Sequence, residues 1–259
     1  METGSEVHAL THKNQDTWDI QWTDDEAFCA RLVQNEVQFH SSADFGKRAS
    51  LNFLYPSKFC AAFSRLILEG VKDFSLSPGK NPSVAVFVPE KKGAPAIVRL
   101  FGINSFNYPL SNKTFYKADN IQFKWNSIGT NVLVLTQTDT AKDSYYGETN
   151  LYYLSAVGNY DCRVMLDAEG PIHDIAWGPD ATEFIVVYGN MPAKAALFDS
   201  RANKVFDFGG SPKNYVRYSP YGRLVILAGF GNLAGYVEVW DRKHLKMLSR
   251  YQEPAAVYC

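Results

Sequence analysis

Five histidines, four cysteines and one glycine-rich stretch are where side-chain or phosphate chemistry has to be sought first in this sequence. His173 followed by Asp174 sets an imidazole beside a carboxylate, the start of a general-base arrangement. Nucleophilic catalysis also needs a serine or cysteine on a strained elbow, and no such motif accompanies the pair. A satisfied histidine at the start of a strand is the better reading. His8, His12, His40 and His244 form no HExxH and no Cys-His metal spacing. Cys29, Cys60, Cys162 and Cys259 are far apart and include no CxxC pair, so they read as reduced thiols of a cytosolic protein. The stretch Gly229 to Gly235 has the glycines of a phosphate cradle, but a cradle needs a strand leading into a helix N-terminus, where free amides meet the phosphate. Here the flanks, Leu224 to Ala228 and Tyr236 to Trp240, are both strand-like. A hairpin turn with positive φ explains the glycines. Tyr145, Tyr146, Tyr152 and Tyr153 offer rings for base stacking, although strand aromatics that fill layers between sheets explain them better. No cofactor, metal or catalytic residue is expected, and the chain reads as a non-enzyme.

Charge points elsewhere. The 259 residues carry 26 Lys and Arg against 27 Asp and Glu, so a formal charge of −1 gives no global attraction for nucleic acid or membrane, and any such partner needs a local patch. The distribution supplies one. Residues 1–40 hold eight acids and two bases, whereas residues 191–250 hold ten bases against four acids, a net +6. That basic end can attract phosphate backbones. Lys194, Lys213, Arg217, Arg223, Arg242 and Lys243 are its candidate RNA or ribosome contacts. Ordinary solvated charges at loop tips are the competing explanation.

The elements that must position these residues follow from a repeated phrase. A short alternating segment ends in a bulky residue, a polar turn follows, and a strongly apolar run comes next. Trp18 to Trp22 leads to Ala27 to Val33, Val71 to Leu76 to Val84 to Val88, and Ile121 to Trp125 to Val132 to Leu135. Ile172 to Trp177 leads to Phe184 to Tyr188, and Tyr215 to Tyr218 to Leu224 to Ala228. Trp22, Leu76, Trp125, Trp177 and Tyr218 are separated by 54, 49, 52 and 41 residues. A second apolar strand closes most copies: Ala96 to Phe101, Leu151 to Leu154, Ala195 to Asp199, and Tyr236 to Asp241 with its terminal Trp-Asp pair. A period of about 40–50 residues with several short, β-branched and aromatic runs per unit predicts propeller blades rather than a helical solenoid. The fold class is therefore all-β, a WD-type β-propeller of about five four-stranded blades. A ring of seven blades at about 45 residues each would need over 300 residues, so the ring is expected to be incomplete, in a fragment or a shortened isoform. Ala255 to Tyr258 would begin a sixth copy.

The domain reading is a disordered tail over residues 1–15 and a partial propeller over 16–259, with an insertion at about 41–69 where the rhythm fails. There Phe59, Phe63, Leu66 and Ile67 fall at helical spacing behind Ser57, which predicts a short helix near residues 57–69. A basic helix for a membrane surface or partner, an insertion covering an edge, and sequence foreign to the fold all remain open for this segment. The N-terminus lacks a basic start and an apolar core, and no apolar run is long enough to span a bilayer, so neither a secretory signal nor membrane insertion is expected.

Long phrases carry a resemblance. Val187 to Phe198, with its Met191-Pro-Ala-Lys194 core, Val205 to Gly209 and Leu227 to Asp241 closely resemble the eukaryotic translation initiation factor 2A family. Phe74 to Gly79, Lys92 to Pro95, Lys117 to Asp119 and Ser144 to Glu148 also match, so the similarity covers roughly residues 16–40 and 70–250. Related phrases occur in one component of initiation factor 3. The resemblance implies a WD-repeat propeller that works in cytoplasmic translation initiation and delivers initiator methionyl-tRNA to the small ribosomal subunit, without acting as a GTPase. It implies the small ribosomal subunit, initiator tRNA, mRNA and other initiation factors as partners. Against the family pattern, blades before residue 16, the last blades and a long charged C-terminal region are expected to be missing, and residues 41–69 do not match. An interaction scaffold that binds proteins without touching RNA is the alternative function.

Overall fold

The computed structural model describes residues 20–33, 35–42, 64–91, 93–103, 105–116, 118–138, 147–158, 160–233 and 235–252. Five four-stranded antiparallel sheets follow one another in chain order. The first holds β1 (Ile20–Trp22), β2 (Phe28–Val33), β3 (Glu36–Ser41) and β4 (Ser64–Ile67), and the second β5 (Asp73–Leu76), β6 (Ser83–Val88), β7 (Ala96–Gly102) and β8 (Ser111–Phe115). The third holds β9 (Asn120–Trp125), β10 (Asn131–Thr138), β11 (Glu148–Ser155) and β12 (Asp161–Arg163). The fourth is β13 (Ile172–Trp177), β14 (Glu183–Tyr188), β15 (Lys194–Asp199) and β16 (Lys204–Gly210). The fifth is β17 (Tyr215–Tyr218), β18 (Leu224–Ala228), β19 (Tyr236–Asp241) and β20 (Lys246–Gln252). Each bulky residue of the repeat is the last residue of its blade's first strand.

Second strands explain why the blades stack. A β-strand turns alternate side chains to opposite faces, and in β6 Val84 and Val86 enter the core shared with the first blade while Ala85 and Phe87 enter the core shared with the third. In β14, Phe184, Val186 and Tyr188 face the third blade, and Ile185 and Val187 face the fifth. These runs are apolar throughout because both faces are buried. Four buried clusters result, each joining consecutive blades, and none among the described residues joins the fifth blade to the first. In β18, Val225 and Leu227 pack toward the fourth blade, whereas Ile226 on the other face is 37% exposed. The architecture is an incomplete propeller.

First-strand residues add polar staples between blades. The Gln21 side chain donates to Phe74 O at 3.0 Å and accepts from Leu76 N at 2.8 Å. The indole of Trp125 donates to Ser75 Oγ at 3.1 Å, and that of Trp177 to Lys124 O at 2.8 Å. Each tryptophan thus reaches the residue just before the bulky residue of the preceding blade. The Tyr218 hydroxyl donates to Glu183 Oε1 at 3.0 Å in the blade before it.

One expectation is corrected. Residues 64–67 form β4 rather than the end of a helix, with Val37 opposite Leu66 and Glu36 opposite Ile67. Leu66 is buried while Ile67 is 70% exposed, the alternation of a strand. Pairing with β3 completes the first blade and overrides the local helical spacing. The rest of the expected helix, the tail at 1–15, the greater part of the insertion and Ala255 to Tyr258 lie outside the described residues.

Candidate nucleic-acid interface

In an antiparallel blade, the turn between strands one and two and the turn between strands three and four share one end of the sheet. Backbone bonds join them: Ile103 N donates to Pro82 O, Ala156 N to Thr130 O, and Arg242 N to Arg223 O at 3.0 Å. First turns of neighbouring blades also touch. Asp24 Oδ2 accepts from Gly79 N at 2.7 Å, and Ser127 Oγ donates to Pro179 O at 3.0 Å. A Cβ on Gly129 would lie 1.9 Å from Pro78 O, and one on Gly222 3.3 Å from Pro179 Cδ. The five first turns therefore run as a continuous row along one face. It begins with Asp24, Asp25 and Glu26 on the first blade and ends with Tyr221 and Arg223 on the fifth.

The six candidate cations separate by position. Lys213 is 1% exposed, its ammonium donating to Gly209 O at 2.9 Å and lying 3.6 Å from Glu238 Oε2. Burial pushes its pKa down, opposed by the Glu238 carboxylate. It cannot reach a phosphate from there and leaves the candidate set. Lys194 lies 3.6 Å from Asp167 Oδ1, and Arg217 pairs with Asp174 Oδ2 at 2.7 Å while its guanidinium covers the Tyr215 ring at 4.1 Å. Arg242 clamps the fifth blade onto the fourth, with Nε 2.6 Å from Glu183 Oε1 and Nη2 2.8 Å from Asp180 Oδ2. Those carboxylates, Glu183 first, hold the guanidinium pKa above its ordinary value.

Arg223 and Lys243 remain, both exposed and neither within ion-pair distance of a described acid. Two bases outside the six behave alike. Arg201, in the β15–β16 turn, and Lys246, opposite Asp241 at the start of β20, are exposed and make no ion pair among the described residues. All four sit in or beside turns at the same end of blades four and five. The near-fully exposed ring of Tyr221 lies in the same row. The other bases of the 191–250 segment are also held by acids: Lys204 by Asp167, far away in sequence, and by Asp207, three residues on, each at 2.7 Å, and Arg250 by Glu238 at 3.9 Å. Asp167, Asp174, Asp180 and Glu183 lie far in sequence from the bases they hold, so composition alone could not separate free cations from paired ones.

The other chemistry weighed from sequence lies in structural roles. The His173 ring donates from Nε2 to Gly189 O at 2.8 Å, while Asp174 accepts from Val216 N and Arg217. Gly229 to Gly235 spans a connection between β18 and β19 with one 3-10 turn over Gly231–Leu233, and Gly231 and Gly235 have φ of +71° and +61°. Tyr153 is buried, and Tyr152 packs on Phe115 at 4.5 Å. Tyr145 and Tyr146 lie outside the described residues. Cys29 and Cys162 are free thiols. Among the described residues no three His, Cys, Asp or Glu side chains gather as a metal site, and no helix is long and apolar enough to cross a membrane.

A family model described as eukaryotic translation initiation factor eIF2A matches residues 113–259. The chain belongs to the eIF2A family. Eukaryotic translation initiation factor 2A of Schizosaccharomyces pombe is 49% identical over 261 residues, covering 100% of this chain and 43% of its own length. The Drosophila melanogaster factor 2A is 40% identical over 244 residues, with 92% of this chain and 37% of its own length covered. The chain thus spans less than half the length of these curated relatives. A solved structure, "Crystal structure of the eukaryotic initiation factor", superposes with a TM-score of 0.84 at 44% identity over 100% of this chain and 59% of that one. The eIF2A relatives are named as translation initiation factors, and the five blades of this chain share the fold of the matched part of the solved initiation factor.

Proposed function

We propose that this eIF2A-family chain acts in cytoplasmic translation initiation as a non-enzymatic factor that helps place initiator methionyl-tRNA on the small ribosomal subunit, with mRNA and other initiation factors as further partners. The observation that carries the contact surface is the gathering of Arg201, Arg223, Lys243 and Lys246 at one end of blades four and five while the other bases of the segment are paired. Unpaired cations on one face release counterions when they meet a phosphate backbone, so binding is strong at low salt and falls steeply as salt rises. Blade packing holds the face, so little ordering is needed on contact.

Filter retention of labelled initiator methionyl-tRNA across a salt series tests this. Retention at low salt is expected, with a log–log salt slope that drops by about 1 for each of Arg223→Ala and Lys243→Ala. No retention at low salt, or slopes unchanged in both variants, would remove the assignment.

A further inference from the structure

On the same face a groove of about 790 Å³ opens between the second and third blades, within the size range of ligand sites. Gly79, Ile128 and Gly129 in its lining belong to two turns whose backbones touch: a Cβ on Gly79 would lie 2.5 Å from Ile128 O, and one on Gly129 1.9 Å from Pro78 O. Tyr108 and Leu110 of the β7–β8 connection line it from the second blade, and Ile128 of the β9–β10 turn and Val157 after β11 line it from the third. These side chains are 83%, 41%, 57% and 77% exposed. Single exposed apolar residues are common on any protein, but four converging on one concavity mark an interaction site.

Two features define the occupant. Blades two and three each have a neighbouring blade on both sides, so continuation of the propeller beyond blade five does not cover this groove, unlike the open face of β18. Among the described residues Lys80 is the one charged residue in the lining, and it makes no ion pair with a described acid. A phosphate backbone would find a single cation there among largely apolar side chains, whereas an apolar side chain next to a carboxylate would meet both features. We infer that this groove binds a peptide segment of a partner protein that carries an aliphatic or aromatic anchor beside an acidic residue. The inference stands apart from the RNA reading, which uses the far end of the same face.

Selection from a random twelve-residue peptide display library on the whole chain, followed by fluorescence anisotropy of the synthesised winners, tests it. Winners are expected to share a bulky apolar residue next to Asp or Glu. Ile128→Asp and Val157→Asp should each weaken them by about tenfold or more, as losing an interface anchor does. Lys80→Glu should abolish the preference for acidic peptides, and tRNA retention should be unchanged in all three variants. These positions are exposed, so matched thermal melts are expected to show intact folding, and Lys80→Glu keeps the test valid if an apolar-wall variant fails to fold. No enrichment, winners without acids, or winners bound equally by all variants would overturn the inference. So would a dimer lost on Ile128→Asp, which would make a second copy the occupant, or displacement of the winners by a uridine oligonucleotide.

Discussion

Ten basic residues between 191 and 250 divide according to what lies within reach of each, and the division predicts different phenotypes for equal changes of charge. Lys213 is buried against Glu238, so Lys213→Ala leaves a carboxylate with only Trp240 Nε1 at 3.2 Å and Arg250 at 3.9 Å. It should cost roughly 3 kcal/mol in urea unfolding, and the folded fraction should retain tRNA normally. Arg223→Ala should do the reverse, sparing stability and weakening RNA binding. Asp167 supplies a pH test. Hydrogen bonds from Lys204 and then Tyr188 hold its carboxyl at about 2, below the ordinary 3.8. Between those values the unfolded chain takes up a proton that the folded chain refuses, so this contribution is complete above 3.8 and lost as pH falls toward 2. Asp167→Asn should therefore be less stable at neutral pH and lose less stability than the parent on acidification through that window. Acid titration followed by circular dichroism reads the difference; parallel curves would contradict the pairing.

At the scale of elements, three of the bulky residues that set the sequence period, Trp125, Trp177 and Tyr218, are also staples between blades. Trp177→Phe keeps an aromatic side chain but removes the donor to Lys124 O and part of the ring that packs on Tyr153 and Phe184, and is expected to cost about 1–3 kcal/mol. Gly129→Ala and Gly93→Ala share positive φ, +72° and +83°, but only the first would put a Cβ against the neighbouring turn. The Gly129 variant should unfold at clearly lower urea, and equal midpoints would deny that the turns are in close contact. Legibility followed burial. Ile172–Trp177, Tyr215–Tyr218, Leu224–Ala228 and Tyr236–Asp241 run over the residues their pattern predicted, since apolar alternation or a continuous apolar run marks strands packed on one or both faces. Outer strands such as β8 (Ser-Asn-Lys-Thr-Phe) and β12 (Asp-Cys-Arg) carry no such pattern, because solvent takes much of their surface. β4 was masked by helical spacing that only its partner β3 resolves. Ile128 was legible in principle, as an isoleucine in the polar turn Asn126-Ser-Ile-Gly129, where burial cannot explain it.

Across the whole molecule, the near-zero net charge conceals a row of turns with acids at one end, an apolar groove between blades two and three, and unpaired cations at the other end. Fold alone does not make an initiation factor of a propeller; the proposed role rests on the match to initiation factors more than twice as long as this chain, and the proposed surface on the charge layout. Sedimentation with small ribosomal subunits is the most direct test of that surface. The chain is expected to travel with the subunits at low salt and to be released as salt rises, and the double variant Arg223→Glu/Lys243→Glu to stay folded but remain in the supernatant. A chain that does not sediment with subunits at low salt, or a double variant that sediments as well as the parent, would contradict the proposed surface.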